Sequence, residues 1–108
     1  MLKSVFIVDD DNITIKICKL ILQNSKFAEN IIDFENGKPC INFFADYFGK
    51  QKSNKQLYEL PQMIFLDLNM PVMNGWEFLD DFVRKYSERL PDIKIVILST
   101  SVDPRDFM

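Results

Sequence analysis

Three short apolar runs in this chain each end at a group of polar residues. The runs are Val5–Val8, Met63–Leu66 and, apolar after its first residue, Lys94–Leu98. Aspartates follow the first two runs, and hydroxyl residues follow the third. Runs of this length, rich in β-branched residues, are typical of strands that are buried on both faces. The chain is therefore expected to build a sheet with helices packed on both sides.

A helical pattern follows the first run and its acidic residues. From Ile13 to about Asn24 the spacing predicts a helix, with Asp11 or Asn12 as its cap. One face of this helix carries four apolar side chains: Ile13, Ile17, Leu20 and Ile21. Ile31–Phe34 then reads as the second strand of the sheet.

Two further helices are predicted between the later strands. After a turn at Asn36 and Gly37, a helix places apolar residues at Ile41, Phe44, Ala45 and Phe48. After a turn over residues 69–75, a third helix carries a stripe that we expect to belong to the core: Trp76, Leu79, Phe82, Val83 and Tyr86. Asp103 followed by Pro104 predicts the start of a fourth helix.

The alternation of strand and helix indicates an α/β fold with a doubly wound parallel sheet. We expect the flavodoxin-like strand order 2-1-3-4, in which strands one and three are neighbours. With 108 residues, the chain is expected to form a single domain over residues 1–108.

Composition excludes several classes of function. The chain contains no histidine, which rules out Ser-His-Asp and Cys-His catalysis and any zinc site built on imidazole. The net charge of −3 does not indicate a basic surface that would bind nucleic acid or an anionic membrane. Cys18 and Cys40 lie far apart in helical patterns and are expected to be reduced. No apolar stretch has transmembrane length, so a cytoplasmic protein is predicted.

The polar residues at the strand ends suggest a site. In an open parallel sheet, ligands bind beyond the carboxyl ends of the strands where the strand order reverses. This topology would bring together Asp9, Asp10 and Asp67, three carboxylates that repel one another. Oxygen ligands without His or Cys favour Mg²⁺, Mn²⁺ or Ca²⁺, and Mg²⁺ fits best because it needs few carboxylates beside phosphate oxygens. Such a site, with Ser99 beside it, suits phosphoryl transfer to a carboxylate.

Three motifs resemble those of response-regulator receiver domains. They are Ile7–Asp10, Phe65–Gly75 and Ile97–Ser101, in this order along the chain. The middle motif, a strand-end aspartate followed by a Met-Pro turn and a glycine, is the most specific. The resemblance extends over nearly the entire chain.

The resemblance implies a role for each site residue. Asp67 would be the phosphoacceptor and also a ligand of Mg²⁺. Asp10 would be the principal carboxylate ligand, and Asp9 a ligand directly or through water. The backbone carbonyl of Asn69 would complete the metal shell, and Ser99 would hydrogen-bond the phosphoryl group. The phosphodonor would be a sensor histidine kinase or a histidine phosphotransfer protein, with output through contacts to a downstream protein.

The sequence departs from the family at its C-terminal end. A receiver is expected to continue into a fifth strand with a phosphoryl-pairing lysine, an aromatic switch residue and a fifth helix, and none can be assigned here. Lys85 and Lys94 are wrongly placed to replace that lysine. We therefore predict that the domain is incomplete, and that a longer chain, a dimer partner or a swapped segment covers the apolar fourth strand.

Two other functions are left open by the residues. A haloacid-dehalogenase-like phosphatase also uses a strand-end aspartate, but it needs a second aspartate where this chain has Asn69. A degenerate receiver that acts as a phosphorylation-independent scaffold is compatible with the missing lysine. The intact acidic pair and Asp67 favour a phosphorylation-switched signalling module that is not an enzyme.

Overall fold

The computed structural model describes residues 1–49 and 60–98. Within this part, strands and helices alternate as predicted: β1 (Leu2–Val8), α1 (Asn12–Asn24), β2 (Ala28–Phe34), α2 (Gly37–Phe48), β3 (Met63–Asp67), α3 (Gly75–Tyr86) and β4 (Lys94–Leu98). The four strands are parallel in the order β2-β1-β3-β4, which confirms the predicted order. The fourth helix predicted from Asp103 and Pro104 lies outside the described residues.

The first two strands begin earlier than their apolar runs. Leu2 pairs with Ala28, and the ladder continues through Val8 and its partner Phe34. The polar residues that begin β2 are exposed, because this strand lies at the edge of the described sheet. Backbone pairing with β1, and not hydropathy, therefore sets the length of β2.

A large buried cluster covers one face of the sheet. The cluster members from β1 and β3 are alternate residues of these strands, and α2 and α3 supply most of its other members. The Phe6 ring meets Phe43 edge-on, with centroids 5.1 Å apart, and Phe44 meets Phe82 in the same way at the same distance. Edge-to-face contacts of this kind add to the stabilisation from burial. The phenylalanines of α2 thus belong to the core, with Phe44 fully buried.

The predicted core stripe of α3 is correct only in part. Phe82 and Tyr86 are buried, but Trp76 is 64% exposed and Val83 is 53% exposed. Phe78, which the stripe omitted, is fully buried instead. The helix is rotated so that Phe78 and Phe82, four residues apart, face the sheet together.

The apolar face predicted for α1 exists, but it faces solvent. Ile15 is the buried residue of this helix. Each of four other apolar side chains is more than half exposed: Ile13, Ile17, Leu20 and Ile21. An ion pair between Lys19 and Asp33 joins the helix to β2. The periodicity predicted the helix correctly, but the side that packs inward is the one that carries Ile15.

β4 is an apolar edge in the described part of the sheet. Val96 and Ile97 point to opposite faces, and they are 37% and 41% exposed. Whether a further segment, a dimer partner or a swapped strand covers this edge stays a prediction. Cys18 and Cys40 are free, as expected. No helix in the described residues is both long and apolar enough to cross a membrane.

Candidate functional site

The carboxyl ends of β1 and β3 bring three aspartates together. Val8 pairs with Leu66, so Asp9 and Asp67 follow paired residues at the same edge of the sheet. One carboxylate oxygen from each of Asp9, Asp10 and Asp67 lies within 4.8 Å of the other two. The convergence that the topology predicted is therefore present in the structure.

The three carboxylates differ in burial. Asp9 is fully buried, Asp67 is 4% exposed, and Asp10 is exposed to solvent. Asp9 Oδ1 accepts a hydrogen bond from the backbone N–H of Asp11 at 2.9 Å. Asp9 Oδ2 is buried and has no hydrogen-bond partner among the described residues. A charged oxygen in that position is costly unless another group compensates for it.

The electrostatics of Asp9 reflect this crowding. Burial raises the pKa of the Asp9 carboxyl most strongly, and the hydrogen bond from Asp11 works in the opposite direction. The negative charges of Asp67 and Asp10 raise the Asp9 pKa further. A cation among the three carboxylates would offset both the burial and the repulsion.

The donor set fits a hard divalent cation. It consists of carboxylate oxygens, two of them on buried side chains, and the described part of the cluster offers neither thiolate nor imidazole. The unpartnered Asp9 Oδ2 is an available ligand atom inside it. Mg²⁺ binds through one or two carboxylates and keeps several waters, which suits a cluster whose third member faces solvent.

The loop after Asp67 is tied to its carboxylate and backbone. The backbone N–H of Asn69 donates to Asp67 Oδ1 at 3.2 Å, and that of Gly75 donates to the Leu68 carbonyl at 3.1 Å. A Cβ atom added at Gly75 would lie 2.4 Å from the Asp67 carbonyl oxygen. Only glycine allows α3 to begin this close to the end of β3. The Phe65–Gly75 motif alone did not explain this constraint.

Helix caps fix the two segments that leave the site. The Asp11 carboxylate caps α1 by accepting from the Ile13 N–H and the Thr14 hydroxyl, and these bonds lower the Asp11 pKa. The prediction of a capping role for Asp11 is confirmed. Asn74 and Glu77 form a capping box at the start of α3. The spacing Asn-x-x-Glu is a sequence signature that could have revealed this box.

The structure leaves part of the predicted site undescribed. Ser99 lies outside the described residues, so its expected contact with the phosphoryl group stays a prediction. Leu98, the residue before Ser99, pairs with Asp67 in the sheet. Trp76 follows Gly75 directly and is 64% exposed. Its expected place in the core is therefore wrong.

Comparison with known proteins identifies the family. The profile of the response regulator receiver domain matches residues 5–108. A two-component response regulator from Cytophaga hutchinsonii superimposes with a TM-score of 0.77 at 30% identity, over 98% of this chain and 74% of that one. The phosphorylated cyanobacterial phytochrome response regulator RcpA gives 0.74 at 26% identity, over 99% and 71%.

Curated relatives agree with this assignment. The probable methanogenesis regulatory protein FilR2 of Methanothrix harundinacea is 29% identical over 94% of this chain, and the transcriptional regulatory protein DegU of Brevibacillus brevis is 28% identical over 92%. The chain spans 61% and 35% of the length of these two proteins. The family profile, the parallel sheet and the strand-end acids agree, and the chain belongs to the response regulator receiver domain family.

Proposed function

We propose that this chain accepts a phosphoryl group on Asp67 with the help of Mg²⁺, and that the modified state signals through protein contacts. The observation that carries the proposal is the convergence of Asp9, Asp10 and Asp67, with one oxygen of each within 4.8 Å of the others. Two of these acids are buried, and Asp9 Oδ2 lacks a partner among the described residues. Such a cluster is expensive to keep without a cation.

Asp67 is the best-placed nucleophile of the three. It ends β3, and the hydrogen bond from the Asn69 N–H orients its Oδ1. In the reaction an Asp67 oxygen forms a bond to the phosphorus of the donor, and the bond from phosphorus to the donor's leaving group breaks. For a phosphohistidine donor that leaving group is the imidazole nitrogen, which takes up a proton. The product is an acyl phosphate on Asp67.

Asp9 and Asp10 would hold the metal on the side of the cleft next to Asp67. The buried, unpartnered oxygen of Asp9 makes direct ligation by Asp9 attractive, while exposed Asp10 suits a shared or water-mediated contact. This assignment gives Asp9 more weight than the resemblance does. When bound, Mg²⁺ supplies positive charge that offsets the repulsion between the carboxylate and an anionic phosphoryl group. An Asp67 oxygen and the Asn69 carbonyl are the other proposed protein ligands.

The partners and the output follow from family membership. Receiver domains are signalling modules, so we propose a sensor histidine kinase or a histidine phosphotransfer protein as donor and a protein as the downstream target. Ser99 is the proposed hydroxyl partner of the phosphoryl group, supported by the pairing of Leu98 with Asp67. A cytoplasmic location is part of the proposal, and cell fractionation tests it.

The experiment is phosphorylation by a small-molecule donor. The 108-residue chain is incubated with acetyl phosphate and Mg²⁺, and its intact mass is compared with that of Asp67→Asn and of a sample with chelator. We expect a single phosphoryl adduct that needs both Asp67 and Mg²⁺. No adduct with any donor would favour a phosphorylation-independent scaffold. Steady phosphate release over many turnovers would favour a phosphatase.

A further inference from the structure

The first residue of α2 forms a hydrogen bond to the loop between Asp67 and Gly75. The Gly37 N–H donates a hydrogen bond to the Met73 carbonyl at 3.1 Å, while the Met73 N–H donates to the Pro71 carbonyl at 2.8 Å. α2 contributes no residue to the acidic cluster. Its first residue nevertheless contacts the loop that carries Asn69.

Space, and not backbone conformation, favours glycine at position 37. No glycine in the described residues has a positive φ, so any L-residue could adopt the backbone of Gly37. A Cβ atom added there would lie 2.9 Å from Met73 Cγ and 3.1 Å from both Met73 Sδ and the Met73 carbonyl oxygen. The first distance is shorter than non-bonded carbon atoms tolerate. Met73 must therefore move if Gly37 gains a side chain.

The residue before Met73 has a strained backbone, and the contact between Gly37 and Met73 lies next to it. Val72 has a φ of 67°, in the left-handed region that β-branched residues rarely adopt, and its side chain is 79% exposed. Such a backbone persists only where its surroundings impose it. Met73 packs against the core, and the bond from Gly37 fixes its carbonyl, so both contacts hold the strained turn in place.

We propose that Gly37 is a positioning residue for the metal site, acting through Met73 on the loop that presents the Asn69 carbonyl. The inference rests on the proposed function of the acidic cluster. Gly37 touches neither metal nor phosphoryl group. It sets where the loop lies, and it thereby links the start of α2 to the cleft.

The variant that tests this is Gly37→Ala. Helix propensity alone would make this change neutral or stabilising, because alanine favours a helix over glycine. We expect the variant to fold and to bind Mg²⁺ about tenfold more weakly by calorimetry, the lower end of what outer contacts do to metal affinity. Gly49→Ala, at the other end of α2, is the matched control and should bind like the wild type.

A double variant shows whether Met73 carries the effect. Met73→Ala removes Cγ and Sδ, the side-chain atoms that a Cβ at position 37 would meet. In that background we expect Gly37→Ala to weaken Mg²⁺ binding by less than about twofold, a non-additive result typical of residues in contact. Equal losses in both backgrounds would overturn the proposed route through Met73.

Hydrogen exchange tests the link in the wild-type chain, even if Gly37→Ala fails to fold. We expect Mg²⁺ to slow exchange of the Gly37 N–H more than that of the Gly49 N–H, which donates to the Asp46 carbonyl. Equal slowing, or unchanged Mg²⁺ affinity in Gly37→Ala, would refute the inference. A wild-type chain that binds no Mg²⁺ at all would instead refute the proposed function.

Discussion

Replacing Asp9 by asparagine should stabilise the metal-free protein. The Asp9 and Asp67 carboxylates are buried, and their nearest oxygens lie within 4.8 Å of each other. In Asp9→Asn, the amide oxygen can keep the hydrogen bond from the Asp11 N–H, and the amide N–H groups can donate toward Asp67. The substitution therefore removes a charge repulsion and places a donor where the unpartnered Oδ2 lies.

The expected gain follows from Coulomb's law. Two like charges at about 4 Å repel by roughly 1 kcal/mol in water and roughly 4 kcal/mol at the effective dielectric of a protein surface. The cleft is open at exposed Asp10, so we expect Asp9→Asn to raise the free energy of unfolding by about 1–3 kcal/mol. For a domain of this size, that corresponds to an increase in Tm of roughly 5–15 °C.

The assay is thermal unfolding followed by circular dichroism, with chelator and with Mg²⁺. In chelator, Asp9→Asn should melt above the wild type, whereas Asp46→Asn, an exposed residue of α2, should not. Mg²⁺ should raise the Tm of the wild type, because a ligand that binds only the folded state stabilises it. That rise should be small or absent in Asp9→Asn. A variant that melts lower in chelator, or that Mg²⁺ stabilises like the wild type, would refute the reasoning.

Asp9→Asn should also remove the pH dependence of folding stability that the Asp9 carboxyl causes. The Asp9 pKa is raised above its ordinary value of 3.8, so the folded state binds this proton more tightly than the unfolded state does. The contribution of Asp9 to stability is therefore most favourable at low pH. It is lost as pH rises from the unfolded-state pKa through the raised folded-state pKa. Relative to the wild type, Asp9→Asn should become increasingly more stable across that window in chelator.

Four further variants test the packing around the site. Ile15→Ala should lower the free energy of unfolding by about 2–4 kcal/mol, because Ile15 is buried. Ile17→Ala, on the exposed side of α1, should change it by less than about 0.5 kcal/mol. Chemical denaturation measures both. Asn74→Ala should cost about 1 kcal/mol through loss of the α3 cap, and an unchanged denaturation midpoint would contradict this. Gly75→Ala should cost about 1–3 kcal/mol and slow acetyl phosphate labelling of Asp67, and normal labelling would argue against the close approach.

The sheet and its acidic edge were predictable because strong rules govern both. Apolar runs such as Val5–Val8 lie buried on both faces, and the polar residues after them must fall at the carboxyl edge. The strand order then decides which ends are neighbours. Asp9 and Asp67 meet because β1 and β3 pair, and no other feature of the sequence was needed to bring them together.

Which side of each helix packs against the sheet was less predictable. Periodicity shows which residues share a side of a helix, but α1 has apolar residues on two sides. The sequence pattern pointed to the side with Ile17 and Leu20, whereas the structure buries Ile15. In α3 the pattern likewise included Val83 and omitted Phe78. The choice between two apolar sides depends on the shape of the sheet surface, which the sequence does not display.

Details of the site depended on three-dimensional proximity. The topology placed Asp9 and Asp10 together, but it did not distinguish a buried carboxylate from an exposed one. The contact between Gly37 and Met73 joins residues that are far apart in the chain, and no motif contains both. Asn36 and Gly37 suggested a turn, whereas Asn36 caps α2, because its side chain accepts from the Lys38 N–H at 2.8 Å.

The central claim is that Asp67 carries the phosphoryl group, and mapping the modified residue tests it most directly. The chain is phosphorylated with acetyl phosphate and Mg²⁺ and trapped with hydroxylamine, which converts an acyl phosphate to a hydroxamate. Tandem mass spectrometry then identifies the altered side chain. The account predicts a hydroxamate at Asp67 and none in a sample treated with chelator. A hydroxamate at Asp9 or Asp10, or an unmodified chain in the presence of Mg²⁺, would contradict it.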